Sequence, residues 1–208
     1  MKDPQVIPID EAVARLDAFD AIVDARSPSE FGEDHLPGAI SAPVLDDAER
    51  ALVGTIHKQQ SAFEARRTGA AIVARNVGTL IDRLFGDRPH DWRPLVYCWR
   101  GGNRSGALAT VFARIGWRTA VIEGGYRAFR RRALAAIARW PAGLRLHVLA
   151  GRTGTGKSLI LQQLAADGAQ VLDLEAIACH RGSVLGLMPQ SQQPTQKGFE
   201  TGLWDAMR

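Results

Sequence analysis

Short apolar runs alternate along this chain with longer stretches in which apolar residues return every third or fourth position. The run AIVD, residues 21 to 24, predicts a buried strand leaving into a turn at Ser27-Pro28, with a helix beginning near Ser29. HLPGAISAP gives a turn at Pro37-Gly38 and a second strand from Ala39 to Ala42, closed by Pro43. A mostly helical stretch follows. Between Ala62 and Phe85 the residues Ala70, Val73, Val77, Leu80, Ile81 and Leu84 recur at the spacing of one buried helix face. PLVYC is a strand, RSGALATVFARIG a helix ending at Gly116, TAVIEGG a strand, and YRAFRRRALAAIARW a helix stopped by Pro141. Such alternation predicts an α/β fold: a mostly parallel sheet with helices on both faces and ligands at the carboxyl ends of the strands.

After Pro141-Ala142-Gly143 the rhythm restarts. LRLHVLAG reads as a strand entering a glycine-rich turn, KSLILQQLAADG as a helix and AQVLDLE as a further strand. Periodicity then fades, and PQSQQPTQ reads as a polar loop. The boundary divides the chain into a first domain at 8–138 and a second at 144–208. About 65 residues remain for the second, short of the roughly 150 of a complete α/β nucleotide-binding domain, so an incomplete phosphate-loop domain is expected.

Composition narrows the class without naming it. Apolar residues at 46% and charged residues at 23% suit a globular chain with a sizeable core. No apolar run approaches the roughly 20 residues of a membrane span, and MKDPQVIPIDEAVARL lacks the apolar region of a secretory signal. A cytoplasmic protein without membrane contact is therefore expected. Cys98 and Cys179 lie far apart in unlike surroundings, which argues against a disulfide framework. The net charge of +4 is modest, but Arg114, Arg118, Arg127, Arg130, Arg131, Arg132, Arg139 and Arg145 crowd one stretch. That density suits either a solvated helix face or contacts to the phosphates of an RNA.

The first candidate site is YCWRGGNRSG, residues 97 to 106. Cys98 ends a strand, and the next helix begins around Arg104 to Gly106, so a thiolate there sits in the positive field of a helix N-terminus. Such surroundings lower a cysteine pKa and raise the nucleophilic thiolate fraction. Gly101 and Gly102 let loop amides curl toward an anion, while Arg104, with Arg100, supplies guanidinium donors for a bound oxyanion. The arrangement points to nucleophilic attack on an anionic substrate.

The second is GRTGTGKS, which matches Gly-x-x-x-x-Gly-Lys-Ser/Thr in full between an apolar run and an amphipathic helix. Gly151, Gly154 and Gly156 permit a tight loop of amides around phosphate oxygens, Lys157 brings charge to the outer phosphates, and the Ser158 hydroxyl is a candidate Mg²⁺ ligand. Asp173 and Glu175, at the end of the next strand, are candidates for holding a metal or its water. Cys179 reads as a packed residue, because no further Cys or His stands at zinc-site spacing beside Cys179-His180. His180-Arg181 reads as a candidate phosphate or RNA contact.

VDARSPSEFGEDHLPGAISAP resembles the amino-terminal signature of rhodanese-type sulfurtransferases, and VIEGGYRAF their carboxy-terminal one, in which a glycine pair precedes an aromatic. The loop from Cys98 to Arg104 is one residue longer than is usual for rhodaneses. In that respect it resembles the rhodanese-like Cdc25 phosphatases, although those carry histidine where this chain has Tyr97. A plain rhodanese or a phosphatase is the alternative reading. With VGTIHKQQSAFEARRTGAAIVARNVG, GRTGTGKS, DLEAIACHRGSVLG and QPTQKGFE added, nearly the whole chain resembles the tRNA 2-selenouridine synthases.

That resemblance implies a rhodanese-like domain fused to a phosphate-loop domain. It also implies a transferase that replaces the sulfur of wobble 2-thiouridine in tRNA with selenium from selenophosphate. The reaction would run through a geranylated intermediate made from geranyl diphosphate. By the same resemblance Cys98 is the selenium or sulfur carrier, and Gly101, Gly102, Asn103, Arg104 and Ser105 cradle selenophosphate. Gly151 to Ser158 hold a diphosphate or a nucleotide with Mg²⁺, the basic stretch positions tRNA, and no tightly bound cofactor is expected. Family chains continue well past the position of Arg208, so a fragment or truncated product is expected, with a rhodanese part still able to load selenium or sulfur.

Overall fold

A computed structural model describes residues 3–152, 154–181, 186 and 192–208. The chain divides into two units, Met1–Arg132 and Ala133–Arg208.

The first unit is built on five parallel strands in the order β1-β5-β4-β2-β3: β1 (Gln5–Ile7), β2 (Ala21–Asp24), β3 (Ala39–Ser41), β4 (Pro94–Tyr97) and β5 (Ala120–Ile122). Helices α1 (Ile9–Ala14), α2 (Pro28–Glu33), α3 (Asp47–Gln59), α4 (Ala62–Leu80) and α5 (Asn103–Ile115) make the crossovers. Right-handed connections put α1 and α2 on one face and α3 to α5 on the other, and α4 packs against α5. Between β4 and β2 the chain order reverses direction, since β2 leads outward to β3 and β4 leads the other way to β5. Loops leaving those two strands open a crevice at their carboxyl ends.

Local chemistry sets the element ends. Asp46 caps α3 by accepting from the Glu49 amide at 2.7 Å, and the Ser61 hydroxyl caps α4 through the Glu64 amide at 3.1 Å. The helix expected from Ala62 to Phe85 runs to Leu80 and ends in a π-helical turn, Ile81–Phe85, that buries Phe85. Beneath the crevice Phe85, Trp92, Phe112 and Trp117 pack edge to face, with Val23, Val96 and Leu108 completing the core.

A buried polar cluster joins the two signature segments. Arg26 donates to the Asp24 carboxylate at 2.6 Å and to the Asp34 carbonyl at 2.6 Å, and its guanidinium lies 4.1 Å from the Tyr126 ring centroid. Tyr126 donates its hydroxyl to Asp34 at 2.7 Å, while Tyr97 accepts the Leu36 amide at 3.1 Å. Desolvation and the Asp34 carboxylate beside it push the Tyr126 phenol well up, so it stays a donor. VDAR and GGYRAF are thus tied together through Arg26, Asp34 and Tyr126.

Helix α6 (Gly125–Arg139) carries the chain from the first unit into the second, where a 3₁₀ turn, Trp140–Gly143, precedes α7 (Lys157–Ala166), α8 (Leu174–Ile177) and α9 (Gln196–Met207). Gly202 of α9 faces Ile177 of α8, and Trp204 is buried. The strands expected at 144–150 and 169–175 are not formed: the first has no regular structure, with Val148 84% exposed, and Asp173 caps a helix. An isolated extended segment has no ladder partner, and the described residues of this unit provide none. PQSQQPTQ lies partly outside the described residues, with Gln196 opening α9. Among the described residues no helix is long and apolar enough to cross a membrane.

Candidate active site

Cys98 follows directly on β4 and is 3% exposed, at the floor of the crevice. Its Sγ accepts from the Ser105 hydroxyl at 3.1 Å and from the Gly102 amide at 3.4 Å. Burial pushes the thiol up. The Ser105 hydroxyl and the amides of Ser105, Gly102 and Arg100 outweigh that and hold it below the ordinary cysteine value. The first turn of α5 adds its dipole at the same end.

The loop is held from behind by the start of α6. The Tyr126 amide donates to the Cys98 carbonyl at 2.8 Å and the Arg127 amide to the Trp99 carbonyl at 3.1 Å. Such proximity requires glycine: a Cβ on Gly125 would overlap the Cys98 carbonyl oxygen, and one on Gly101 would stand 2.6 Å from the Ile122 carbonyl. Both have positive φ, 55° and 67°.

Arg104 lies beside the thiol loop but is already paired. It donates to the two carboxylate oxygens of Glu30 at 2.5 and 3.2 Å, and Arg50 approaches the same carboxylate at 3.9 Å. Desolvation raises the Glu30 carboxyl, yet the Arg104 guanidinium and the Ser27 amide hold it below the usual carboxylate range. Glu30 was not singled out in the sequence. Its signal was the capping-box pattern Ser27-x-x-Glu30, which also seats α2 after β2.

Cys98, Arg100, Gly102, Asn103 and Arg104 line one cavity of about 740 Å³, whose opposite wall comes from α3 and α4. Gly101 and Ser105 serve from behind the lining, the first through its turn and the second through its bond to Sγ. Nothing in the spacing of the Cys98 loop points to that wall.

The basic stretch is partly occupied within the first unit: Arg114 pairs with Asp3 at 3.5 Å, Arg130 with Asp34 at 3.9 Å and Arg132 with Asp10 at 3.0 Å. The phosphate loop closes on itself. Lys157 Nζ donates to the carbonyls of Gly151 and Arg152 at 2.9 and 3.0 Å, and Gly154 and Gly156 adopt φ of 83° and 80°. Thr153 lies outside the described residues. Ser158 is exposed on the first turn of α7. Asp173 is spent on a cap, accepting the Ala176 amide at 2.9 Å. Among the described residues no group of three or more His, Cys, Asp or Glu gathers for a metal. Cys98 and Cys179 are both free thiols.

Residues 9–132 match the rhodanese-like domain family. The chain belongs to the rhodanese family. Beyond its rhodanese domain, residues 144–208 match the tRNA 2-selenouridine synthase AAA domain. The tRNA 2-selenouridine synthase of Nitrosomonas europaea is 37% identical over 204 residues, covering 98% of this chain and 52% of that protein. That of Bdellovibrio bacteriovorus is 34% identical over 190 residues, covering 88% and 48%. The chain spans about half the length of the curated relatives it matches. A crystal structure of the N-terminal domain of a candidate ATP/GTP-binding protein from Clostridium difficile 630 aligns with a TM-score of 0.54 at 32% identity, covering 62% of this chain and 99% of that one. The rhodanese domain thus supplies the parallel sheet and the cysteine loop.

Proposed function

We propose that this chain acts in replacing the sulfur of wobble 2-thiouridine in tRNA with selenium, with Cys98 as the nucleophile that opens the chalcogen donor, keeping the chalcogen of a persulfide donor or releasing selenide from selenophosphate. The observation that carries this reading is the set of donors, from Ser105, Gly102 and Arg100, converging on a buried thiol that they hold below its ordinary pKa. Amides of this kind stabilise a thiolate and then the charge that leaves with a tetrahedral anion.

The chemistry balances for two donor classes. With a persulfide donor, the thiolate attacks the outer chalcogen, the donor's S–S bond breaks, and the donor leaves as a thiolate while Cys98 keeps the persulfide. With selenophosphate, the electron count places attack at phosphorus: the P–Se bond breaks, selenide leaves with the electron pair, and water later cleaves the S–P bond to release phosphate. Selenide formed beside the base then adds at C2 and expels the geranylated sulfur as a thiolate. The base must be unstacked from its loop to reach Cys98. Gly151 to Ser158 hold a diphosphate or a nucleotide in the same scheme.

Intact-protein mass measurement after incubation with selenophosphate or a persulfide donor tests the reading. A single adduct on Cys98, absent from Cys98→Ser, is expected; a wild-type chain that gains no mass from either donor overturns it. The five residues between Cys98 and Arg104 also suit a phosphatase. The Glu30 carboxylate counts against that reading, because it accepts from both terminal nitrogens of Arg104, the fork that a phosphate ester would engage. Cys98-dependent turnover of an aryl phosphate would restore it.

A further inference from the structure

Exchange of sulfur for selenium at C2 has a proton to place. An alkanethiolate is a stronger base than the selenide that attacks, so the adduct at C2 returns selenide unless the departing sulfur is protonated as its bond breaks. The proton donor has to stand at the cavity, hold a proton near neutral pH and be able to give it up. The charged side chains of the lining are Arg50, Arg66, Arg100 and Arg104, whose guanidiniums keep their protons throughout that range. Cys98 is engaged with the chalcogen donor, and among the described residues the lining includes no Asp, Glu, Lys or Tyr. One group remains. His57, in the last turn of α3, lines the cavity on the wall facing the Cys98 loop. It is exposed, so its ring exchanges protons with water between turnovers.

We propose that His57 is the general acid of the exchange, its imidazolium giving a ring proton to the alkylated sulfur as the C2–S bond breaks. Hydroselenide adds at C2 through selenium. The electron pair of the C2–S bond goes to sulfur together with the proton from His57, and the alkyl group leaves as a neutral thiol. The proton that hydroselenide brought passes to N3 of the base, which becomes 2-selenouridine, and the neutral imidazole recovers a proton from water. This rests on the reading of the chain as exchanging selenium for an alkylated sulfur, and it gives the wall from α3 a chemical part besides enclosing the site. The competing role is electrostatic: with Lys58, a cation in the last turn of α3 offsets the helix dipole and does nothing more. Only a proton donor makes the rate depend on the basicity of the leaving sulfur.

The test supplies the full chain with hydroselenide, which bypasses the opening of a donor at Cys98. Its partners are 2-thiouridine nucleosides S-alkylated with ethyl or with trifluoroethyl, the second leaving as a much weaker base, and 2-selenouridine formation is followed by mass spectrometry against pH. For the ethyl substrate the wild-type rate is expected to fall as pH rises through the range in which imidazoles lose their proton. The arginines keep their charge across that range, and ionisation of the Cys98 thiol supplies a nucleophile rather than removing an acid, so a falling limb belongs to His57. His57→Gln is expected to abolish the limb and to slow ethyl exchange by about 100-fold, while trifluoroethyl exchange slows by less than about tenfold. Glutamine exceeds histidine in helix propensity, so α3 is kept. Equal losses for the two substrates, a limb that survives in His57→Gln, or a wild type no faster than buffer overturns the proposal. The two readings fail separately. A Cys98 adduct without any effect of His57→Gln sinks only the general acid, and a His57 effect without an adduct sinks only the donor-opening role of Cys98.

Discussion

Two glycine-rich loops in this chain, one after Cys98 and one after Gly151, are both fitted to hold anions, yet they are built in opposite ways. The cysteine loop is fastened by distant parts of the chain: Tyr126 and Arg127 hold its carbonyls, and Glu30, 74 residues away from Arg104, holds its arginine. The phosphate loop is fastened by itself, its lysine donating to carbonyls five and six residues earlier. Around the first lies a five-stranded sheet over an aromatic core. Around the second, Leu159 on α7 is 69% exposed. A loop motif specifies which groups can meet a ligand, but only packing against other elements fixes where they point.

The comparison breaks most sharply at glycines of like backbone and unlike surroundings. Gly125→Ala drives a Cβ into the Cys98 carbonyl and is expected to cost more than about 3 kcal/mol in urea denaturation, from overpacking added to positive-φ strain. Gly154→Ala, also at positive φ but in open space, loses only the strain, about 1–2 kcal/mol. Equal costs would show the cysteine loop to be no better packed than its counterpart.

The long-range tie is sharpened by Glu30→Gln, expected to cost about 2 kcal/mol near neutral pH. Because the Glu30 carboxyl is held low in the fold, the unfolded chain binds more protons in the acid range. The stabilisation is complete above the ordinary glutamate value and disappears as pH falls through the depressed one, so the stability curves of wild type and variant converge in acid. A gap independent of pH would mean that the ion pair contributes nothing.

Ser105→Ala probes the smallest link. Loss of the hydroxyl from Sγ is expected to raise the Cys98 thiol and to slow its alkylation at neutral pH by up to about tenfold. The measurement is the iodoacetamide rate of the Cys98 peptide against pH. An unmoved profile would assign the thiolate to the loop amides alone.

How much of this was legible depended on whether a feature was local. β2 and β4 announced themselves as apolar runs closed by turn residues, and the Cys98 loop by glycines that only a tight turn needs. β1 gave no signal, since two of its three residues are exposed and it is held by pairing with β5. The runs at 144–150 and 169–175 carried strand-like apolarity, but a strand is a property of a pair, and no partner stands beside them among the described residues. Cys98, Arg100, Gly102, Asn103 and Arg104 converge as their spacing suggested. Glu30 and the wall from α3 and α4 escaped, because they reach the site only through the folding of the sheet.

The parallel order of that sheet also sets a schedule for its assembly. Gln5–Ile7 is made before the other strands of its sheet, yet its strand neighbour among the described residues is Ala120–Ile122. At the usual pace of synthesis the N-terminal strand waits on the order of ten seconds for its partner. During that interval the place of β5 stays open, and Cys98 is made before the glycine pair at 124–125 that seats its loop. That loop gains the amides of Tyr126 and Arg127 only when α6 closes behind it.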